Sequence, residues 1–228
     1  MENNSITVRP IAHIRTDFAT KFGVPRQSGL VPSLTGRVVF EPAYRSADAV
    51  RGLEGFSHIW LLWHFSAGAE NEPFSLTVRP PRLGGNVRVG VFASRSPFRP
   101  NRIGLSCVEL ARIDYDDPEG PVLVVRGADL MDGTPILDVK PYVPYADAHP
   151  EASGGFTNLP FRRVRCEIPE ELLQKLPEDK REALRGVLEE DPRPSYQDDP
   201  ARVYGFGFAG REVKFRVSDG VLTVIDIQ

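Results

Sequence analysis

Six arginines, at positions 79, 82, 88, 95, 99 and 102, lie between Arg79 and Val108 with no Asp, Glu or Lys among them. Guanidinium forks in such number suit phosphate and carboxylate ligands, which they grip through paired hydrogen bonds. Proline stiffens two parts of the run, "RPPRLGGN" (79–86) and "SRSPFRPN" (94–101), so neither reads as a plain helix or strand. A solvated arginine-rich loop is the plainer alternative, because Arg exceeds Lys along the whole chain. A second stretch, "GVPRQSGLV" (23–31), sets Arg26 and Gln27 directly after Pro25. A third, "DGTPILDVKPY" (132–142), offers Asp132, Asp138, Lys140 and Tyr142. Asp138, Lys140 and Tyr142 are at i, i+2 and i+4 and share one face if the stretch is a strand. On that face they form either a surface ion pair worth little or a row that handles protons and orients a substrate. Spacing leaves both open.

The elements that must position these groups are short. The 228 residues suit one ordinary domain plus a small second one. Seven stretches in the first two-thirds read as strands: "SITVRPIAHIRT", "GRVVFE", "HIWLLWHFS", "NVRVGVFAS", "NRIGLSCVELARID", "VLVVRGAD" and "ILDVKPY". "HIWLLWHFS" is continuously apolar, as expected of a strand buried on both faces. "NVRVGVFAS" alternates, with Val87, Val89 and Val91 on one side. A short helix is expected in "SADAVRGLEGF", capped by Ser46 and stopped at Gly55. Regular strands without alternating long helices predict a mainly β, barrel-like or sandwich N-terminal domain, not a Rossmann layout. "PEASGGFTNLP" (150–160) reads as a hinge. Beyond it, "PEELLQKLPEDKREALRGVLEED" is helical with a break at Pro177, and the last stretch reads as three strands turning at Gly210 and Asp219-Gly220. The expected organisation is a catalytic domain over 1–150, a linker over 151–160 and a small α+β domain over 161–228.

Several functions lose support at once. Neither GxGxxG after a strand nor GxxxxGK[ST] occurs, and "GFGFAG" alternates aromatic residues as a packed strand does. The four histidines are scattered, without metal-ligand spacing. Ser94, Ser96 and Ser106 lie in no GxSxG elbow. Two distant cysteines give neither a disulfide framework nor a zinc site, and predict a reducing compartment. No apolar run approaches a membrane span or forms a leader at the amino terminus, so a cytoplasmic protein is expected. A net charge of −3 disfavours whole-surface nucleic-acid binding. The charge is segregated, however, with ten acids against five bases between Glu170 and Asp199.

"KFGVPRQSGLV", "ADAVRGLEGFSHIWLL", "VRPPRLGGNVRVGVFASRSPFRPNRIGLS", "DGTPILDVKPYVPYAD" and "DPRPSY" run in this order along the chain. Together they resemble the TsaA-like (TrmO) family of S-adenosylmethionine-dependent tRNA methyltransferases, which act on N6-threonylcarbamoyladenosine beside the anticodon. The resemblance implies a barrel-like catalytic domain, a homodimer and the small C-terminal domain of the bacterial branch. It implies cofactor contacts at Pro25, Arg26 and Gln27, at Phe65 and Ser66, at Arg95 and Leu105, and over Asp129, Leu130, Met131, Asp132 and Gly133. Where the family tends to place "FH" after "WLL" and an aromatic, this chain reads "WLLWHFSAG", with Ser66 in the histidine's usual place. Arg102 likewise stands where a second proline is common.

On this reading Asp138 is the candidate base, oriented by Lys140 and Tyr142. Arg79, Arg82, Arg99, Asn101 and Arg102 are candidates to meet RNA phosphates or the threonyl carboxylate. Arg193 is the candidate RNA contact in the acidic C-terminal domain. Phe98 suits base stacking or simple packing. The rival readings are a non-catalytic nucleotide- or tRNA-binding module using the arginine loops, and an isomerase or hydrolase acting on a small carboxylated substrate.

Overall fold

The computed structural model describes residues 6–66, 74–159, 163–193 and 199–228. Six strands close into an antiparallel barrel: β1 (Ala12–Arg15), β2 (Thr35–Phe40), β3 (His58–His64), β6 (Ile103–Asp114), β7 (Val122–Arg126) and β8 (Thr134–Pro141). Their order around the barrel is β1-β2-β7-β6-β3-β8, and closure leaves no free edge. Alternation supplies the filling: Ala12, Ile14, Val38, Ile59, Leu61, Val108, Leu123, Val125 and Ile136 form one buried core. The expected short helix is α1 (Ala47–Val50), with Ser46 accepting from the Asp48 N–H over 3.3 Å. Left-handed Gly52 ends it, and a separate 3₁₀ turn carries the chain to Gly55.

Three expected strands differ from the sequence reading. Of "SITVRPIAHIRT" only Ala12–Arg15 forms a strand, and described residues 6–11 belong to none. Strand β3 buries Ile59 and Leu61 but only half-buries Trp60 and Leu62, because a small barrel has a single core and its outer face is thinly covered. That cover comes from Tyr142 against Trp60 and from α2 (Pro144–Asp147), whose Asp147 accepts from the Trp60 indole over 3.0 Å. The valine alternation of 87–91 yields only a two-residue strand, β5 (Val89–Gly90), paired with β4 (Thr77–Val78). Val87 is exposed and only Val91 is buried, so the pattern has no core to face, and the chain turns at Val91–Ala93.

The C-terminal sheet has the order β10-β11-β12-β9. Strands β10 (Tyr204–Phe208), β11 (Arg211–Ser218) and β12 (Val221–Ile227) form the expected meander. Its turns place Ala209-Gly210 and Asp219-Gly220 at positive φ, the geometry that tight hairpins favour. Strand β9 (Arg165–Glu167) adds a parallel edge that the sequence did not announce. Helices α3 (Glu170–Leu173) and α4 (Glu178–Glu189) start after Pro169 and Pro177, and α4 buries Ala183, Leu184, Val187 and Leu188 against the sheet. Tyr204, Phe206 and Phe208 all point into that core, which accounts for the "GFGFAG" pattern. Residue 160 of the expected linker and 194–196 of "DPRPSY" lie outside the described residues. Among those described, no helix is long and apolar enough to cross a membrane.

Candidate active site

The arginine run is shaped by its own serines. Ser94 Oγ donates to the Val91 carbonyl at 2.9 Å and accepts from the Ser96 N–H at 3.3 Å. Ser96 Oγ in turn accepts from the Phe98 N–H at 3.3 Å. Arg99 closes the loop by donating to the Ser94 carbonyl over 3.1 Å. Short hydroxyls commonly hold turns this way, and with two prolines they fix 94–101 in an irregular shape. These serines serve the backbone.

The loop forms one wall of a cavity of about 790 Å³ at the end of the barrel, within the size range of small-molecule sites. Pro25, Arg26 and Gln27 line it from the β1–β2 connection, and Phe65 and Ser66 line it from beyond β3. Arg95, Arg99, Asn101 and Leu105 add the arginine stretch, while Asp129, Leu130 and Met131 come from the β7–β8 connection. Hydrogen bonds tie these walls together. Arg95 Nη1 donates to Gln27 Oε1 at 2.6 Å, and Arg26 Nη2 donates to the Arg193 carbonyl at 3.1 Å. Lys21, Arg26, Arg95 and Arg99 face a single carboxylate among the lining residues, that of Asp129, so the cavity is electropositive.

Asp129 ends a polar chain absent from the sequence reading. The Trp63 indole N–H donates to Ser106 Oγ over 3.0 Å, and Ser106 Oγ donates to Asp129 Oδ1 over 2.5 Å. Burial pushes the Asp129 carboxyl above the usual carboxylate range, and the Ser106 hydrogen bond and the Arg95 charge offset this only in part. Trp63 lies flat over Gly104, where a Cβ would stand 2.3 Å from the indole, and contacts Phe65 at a centroid distance of 4.2 Å. The cross-strand pair Trp63↔Gly104 creates this arrangement. Nothing local in the sequence signals that register.

Other expected residues lie elsewhere. Asp132 and Gly133 do not line the cavity: Asp132 Oδ1 accepts from the Thr16 N–H at 3.0 Å, and the Gly133 N–H donates to the Ile14 carbonyl. Asp138, Lys140 and Tyr142 do share one face, but it is the outer one. The β3–β8 register slips beside Trp63, so Val139 joins Ile136 in facing the core, and Asp138 and Lys140 stand opposite Leu62 and Trp60. Asp138 Oδ2 pairs with Lys140 Nζ at 2.8 Å. Arg102, at φ 33°, lines neither the cavity nor the groove beside it. Arg193 pairs with Asp191 at 2.8 Å in the C-terminal domain.

The adjoining open groove, of about 1570 Å³, is lined by Arg79, Arg82, Arg88 and Arg95 together with Phe74, Phe92, Phe98 and Phe156. Arg82 Nη2 donates to the Leu159 carbonyl over 2.5 Å, docking the expected linker on the 81–83 turn. Guanidinium groups interleaved with exposed rings suit a phosphate backbone and unstacked bases.

The model of the tRNA-methyltransferase O N-terminal domain matches residues 13–148, and that of the TrmO C-terminal domain matches residues 163–228. The chain belongs to the TrmO family. Its relatives include the tRNA (adenine(37)-N6)-methyltransferase of Escherichia coli (strain K12), 40% identical over 99% of both chains. A Methanothermobacter thermautotrophicus protein named for S-adenosyl-L-methionine binding is 37% identical over 62% of this chain and 93% of its own length. A crystal structure of TrmO from Pseudomonas aeruginosa superposes with a TM-score of 0.80 at 35% identity, covering 100% of this chain and 98% of that one. The mainly β barrel with its smaller C-terminal domain is thus the TrmO architecture.

Proposed function

We propose that this chain is an S-adenosylmethionine-dependent methyltransferase acting on N6 of adenosine 37 in tRNA. The cavity holds the cofactor and the arginine-lined groove faces the RNA. The observation that carries this reading is the convergence of four separated stretches, 24–27, 63–66, 92–105 and 129–131, on one cavity. The names of the family relatives supply the reaction, and favour it over a non-catalytic binding module. The finer reading is that the acceptor carries the threonylcarbamoyl group, and that the protein works as a cytoplasmic homodimer. Exposed Leu76 and Val87 offer apolar surface to a second copy. Residues 1–150 are taken as the catalytic domain, 151–160 as linker and 161–228 as the C-terminal domain.

The lining fits the cofactor. Trp63, Phe65 and Leu105 offer apolar faces to an adenine, Asp129 accepts from amine or hydroxyl groups, and Arg26 and Arg95 suit a carboxylate. When bound, the cofactor supplies a methyl group on a positively charged sulfur. The residues of the chain do the rest. The walls tied through Gln27–Arg95 hold the two reactants in line, which lowers the entropic barrier. The acceptor nitrogen must shed its proton as the new N–C bond forms. We assign that proton to the Asp129 carboxylate, which lies in the cavity and whose raised affinity for protons suits a base. Asp138, the expected base, instead pairs with Lys140 outside the cavity. Arg99 in the cavity and Arg79 in the groove are placed to meet the threonyl carboxylate and the RNA phosphates.

Two measurements test this. Calorimetry with S-adenosylmethionine should show stoichiometric binding, and its absence would sink the methyltransferase reading. Labelled methyl transfer should require tRNA bearing the threonylcarbamoyl group. Equal transfer to unmodified tRNA would leave the enzyme and remove its finer substrate.

A further inference from the structure

We infer that the C-terminal domain is a positioning element for the cofactor site, acting through the 16–34 segment that carries Pro25, Arg26 and Gln27. The inference rests on the cofactor assignment above and adds a role for residues far from the cavity.

The 16–34 segment joins β1 to β2 and contains no helix or strand. A connection of that length inside a compact structure needs support from outside itself. Its apolar side chains show where the support comes from. Phe18, Val31 and Leu34 are buried in the C-terminal core, and Phe22, Val24 and Leu30 pack against it. None of them belongs to the barrel core. Val24 packs on the C-terminal core and also lines the cavity, one residue before Pro25. Burial of these groups therefore adds its apolar stabilisation to the segment where the C-terminal domain is docked.

The fit is close at two glycines. A Cβ on Gly23 would stand 2.4 Å from the Phe206 ring, and one on Gly186 of α4 would stand 2.7 Å from Val31. Gly23 also has φ +95°, so other residues are disfavoured there twice over. Polar contacts fasten the segment along its length. Lys180 Nζ pairs with Asp17 Oδ2 at 2.7 Å and reaches Thr35 Oγ1 at 3.3 Å, so one side chain gathers both ends. The Ala209 N–H donates to the Asp17 carbonyl at 3.0 Å. Arg163 donates to the Leu30 carbonyl at 2.9 Å while paired with the buried Glu190 at 2.7 Å. Nearest the site, Arg26 reaches the Arg193 carbonyl, in a turn braced by the Asp191–Arg193 pair. On its other side the segment meets the barrel through hydrogen bonds: the Gly29 N–H donates to the Gly127 carbonyl, the Gly127 N–H to the Leu34 carbonyl, the Asp132 N–H to the Phe18 carbonyl and the Thr16 N–H to Asp132 Oδ1. The cofactor segment is thus a layer between two bodies, with its apolar contacts on the C-terminal one.

The test uses the full chain with three substitutions: Phe206→Ala, Lys180→Met and Lys180→Arg. Each is measured for S-adenosylmethionine affinity by calorimetry, for tRNA affinity and for thermal unfolding. Phe206→Ala should weaken cofactor binding by at least about fivefold, the low end of coupling between separate sites. Lys180→Met should weaken it in the same direction and Lys180→Arg should restore it, with tRNA affinity unchanged throughout. KM for the cofactor should rise more than kcat falls. If Phe206→Ala does not fold, the Lys180 pair decides. Folded variants that bind the cofactor as the wild type does overturn the inference and leave the proposed function intact. So does a loss of tRNA affinity alone, which would make the domain an RNA contact. Failure of the wild type to bind the cofactor removes both.

Discussion

Arg95 Nη1 donates a 2.6 Å hydrogen bond to Gln27 Oε1, joining two stretches that are 68 positions apart in the chain. Gln27 also donates through Nε2 to the Arg26 carbonyl, so its amide has a fixed orientation and its oxygen faces the arginine. This one contact connects the arginine loop to the segment held by the C-terminal domain.

Cutting it should cost cofactor affinity. Hydrogen bonds to charged groups are worth about 1.5–3 kcal/mol, so Arg95→Ala should lower S-adenosylmethionine affinity by about tenfold or more. Arg95→Lys should rescue poorly, because an ammonium lacks the planar fork. Gln27→Ala combined with Arg95→Ala should be less than additive. Calorimetry on the three variants and the double reads this directly, and full additivity would show that the contact carries no energy.

Asp129→Asn separates stability from activity. A carboxyl with a raised pKa in the folded chain holds its proton more tightly there than when unfolded. Folding is therefore penalised as pH rises through and above the ordinary carboxylate range, and the penalty is absent below it. At pH 7 the Asn variant should melt a few degrees above the wild type, and the gap should close below about pH 4. Its methyl transfer should fall by about a hundredfold or more, as loss of a general base predicts. Asp138→Asn, by contrast, should keep turnover close to that of the wild type, since its pair with Lys140 lies outside the cavity lining.

Gly104→Ala should fail for steric reasons. A methyl group 2.3 Å from the Trp63 indole forces the ring off its seat. Overpacking of this kind costs about 1–3 kcal/mol, read as a lower melting temperature. Displacing Trp63 also breaks its hydrogen bond to Ser106, so near-UV circular dichroism should change with cofactor affinity. An unaltered spectrum would mean that the indole does not move.

RNA binding should divide by chemistry. Arg79→Ala should weaken tRNA binding and lower the slope of log affinity against log salt by about 1, as loss of a phosphate contact does. Phe92→Ala removes a ring that is 74% exposed beside the groove. It should cost about 1–3 kcal/mol of stacking and leave the salt slope unchanged. Identical behaviour of the two variants would contradict the assignment.

Much of the fold was legible because barrel strands and hairpins write their signals locally. Alternation mixed with β-branched residues marked β1 and β2, a run of β-branched and apolar residues marked β7, and Asp219-Gly220 marked its turn. The site was legible only through motifs, since its walls meet across long stretches of chain. Asp138, Lys140 and Tyr142 show the limit clearly. Period two placed them correctly on one face, but a register slip beside Trp63 decided which face, and such a slip leaves no mark in one strand's sequence. Val87, Val89 and Val91 failed differently, since alternation predicts a strand only where a core waits on one side. Lys180 was invisible for a third reason. It reads as a solvated helix residue until Asp17, 163 positions away, is brought beside it.

The shared core also orders events in time. Phe18, Val31 and Leu34 are made early, whereas Phe206, Phe208, Phe215 and Leu222, among which they are buried, are made last. All six barrel strands are complete by Pro141, and domains generally fold as they are synthesised. A nascent chain that has released all six strands therefore still lacks the apolar backing of its Pro25–Gln27 segment. That wall of the cavity gains its apolar backing only when the final hairpin is made.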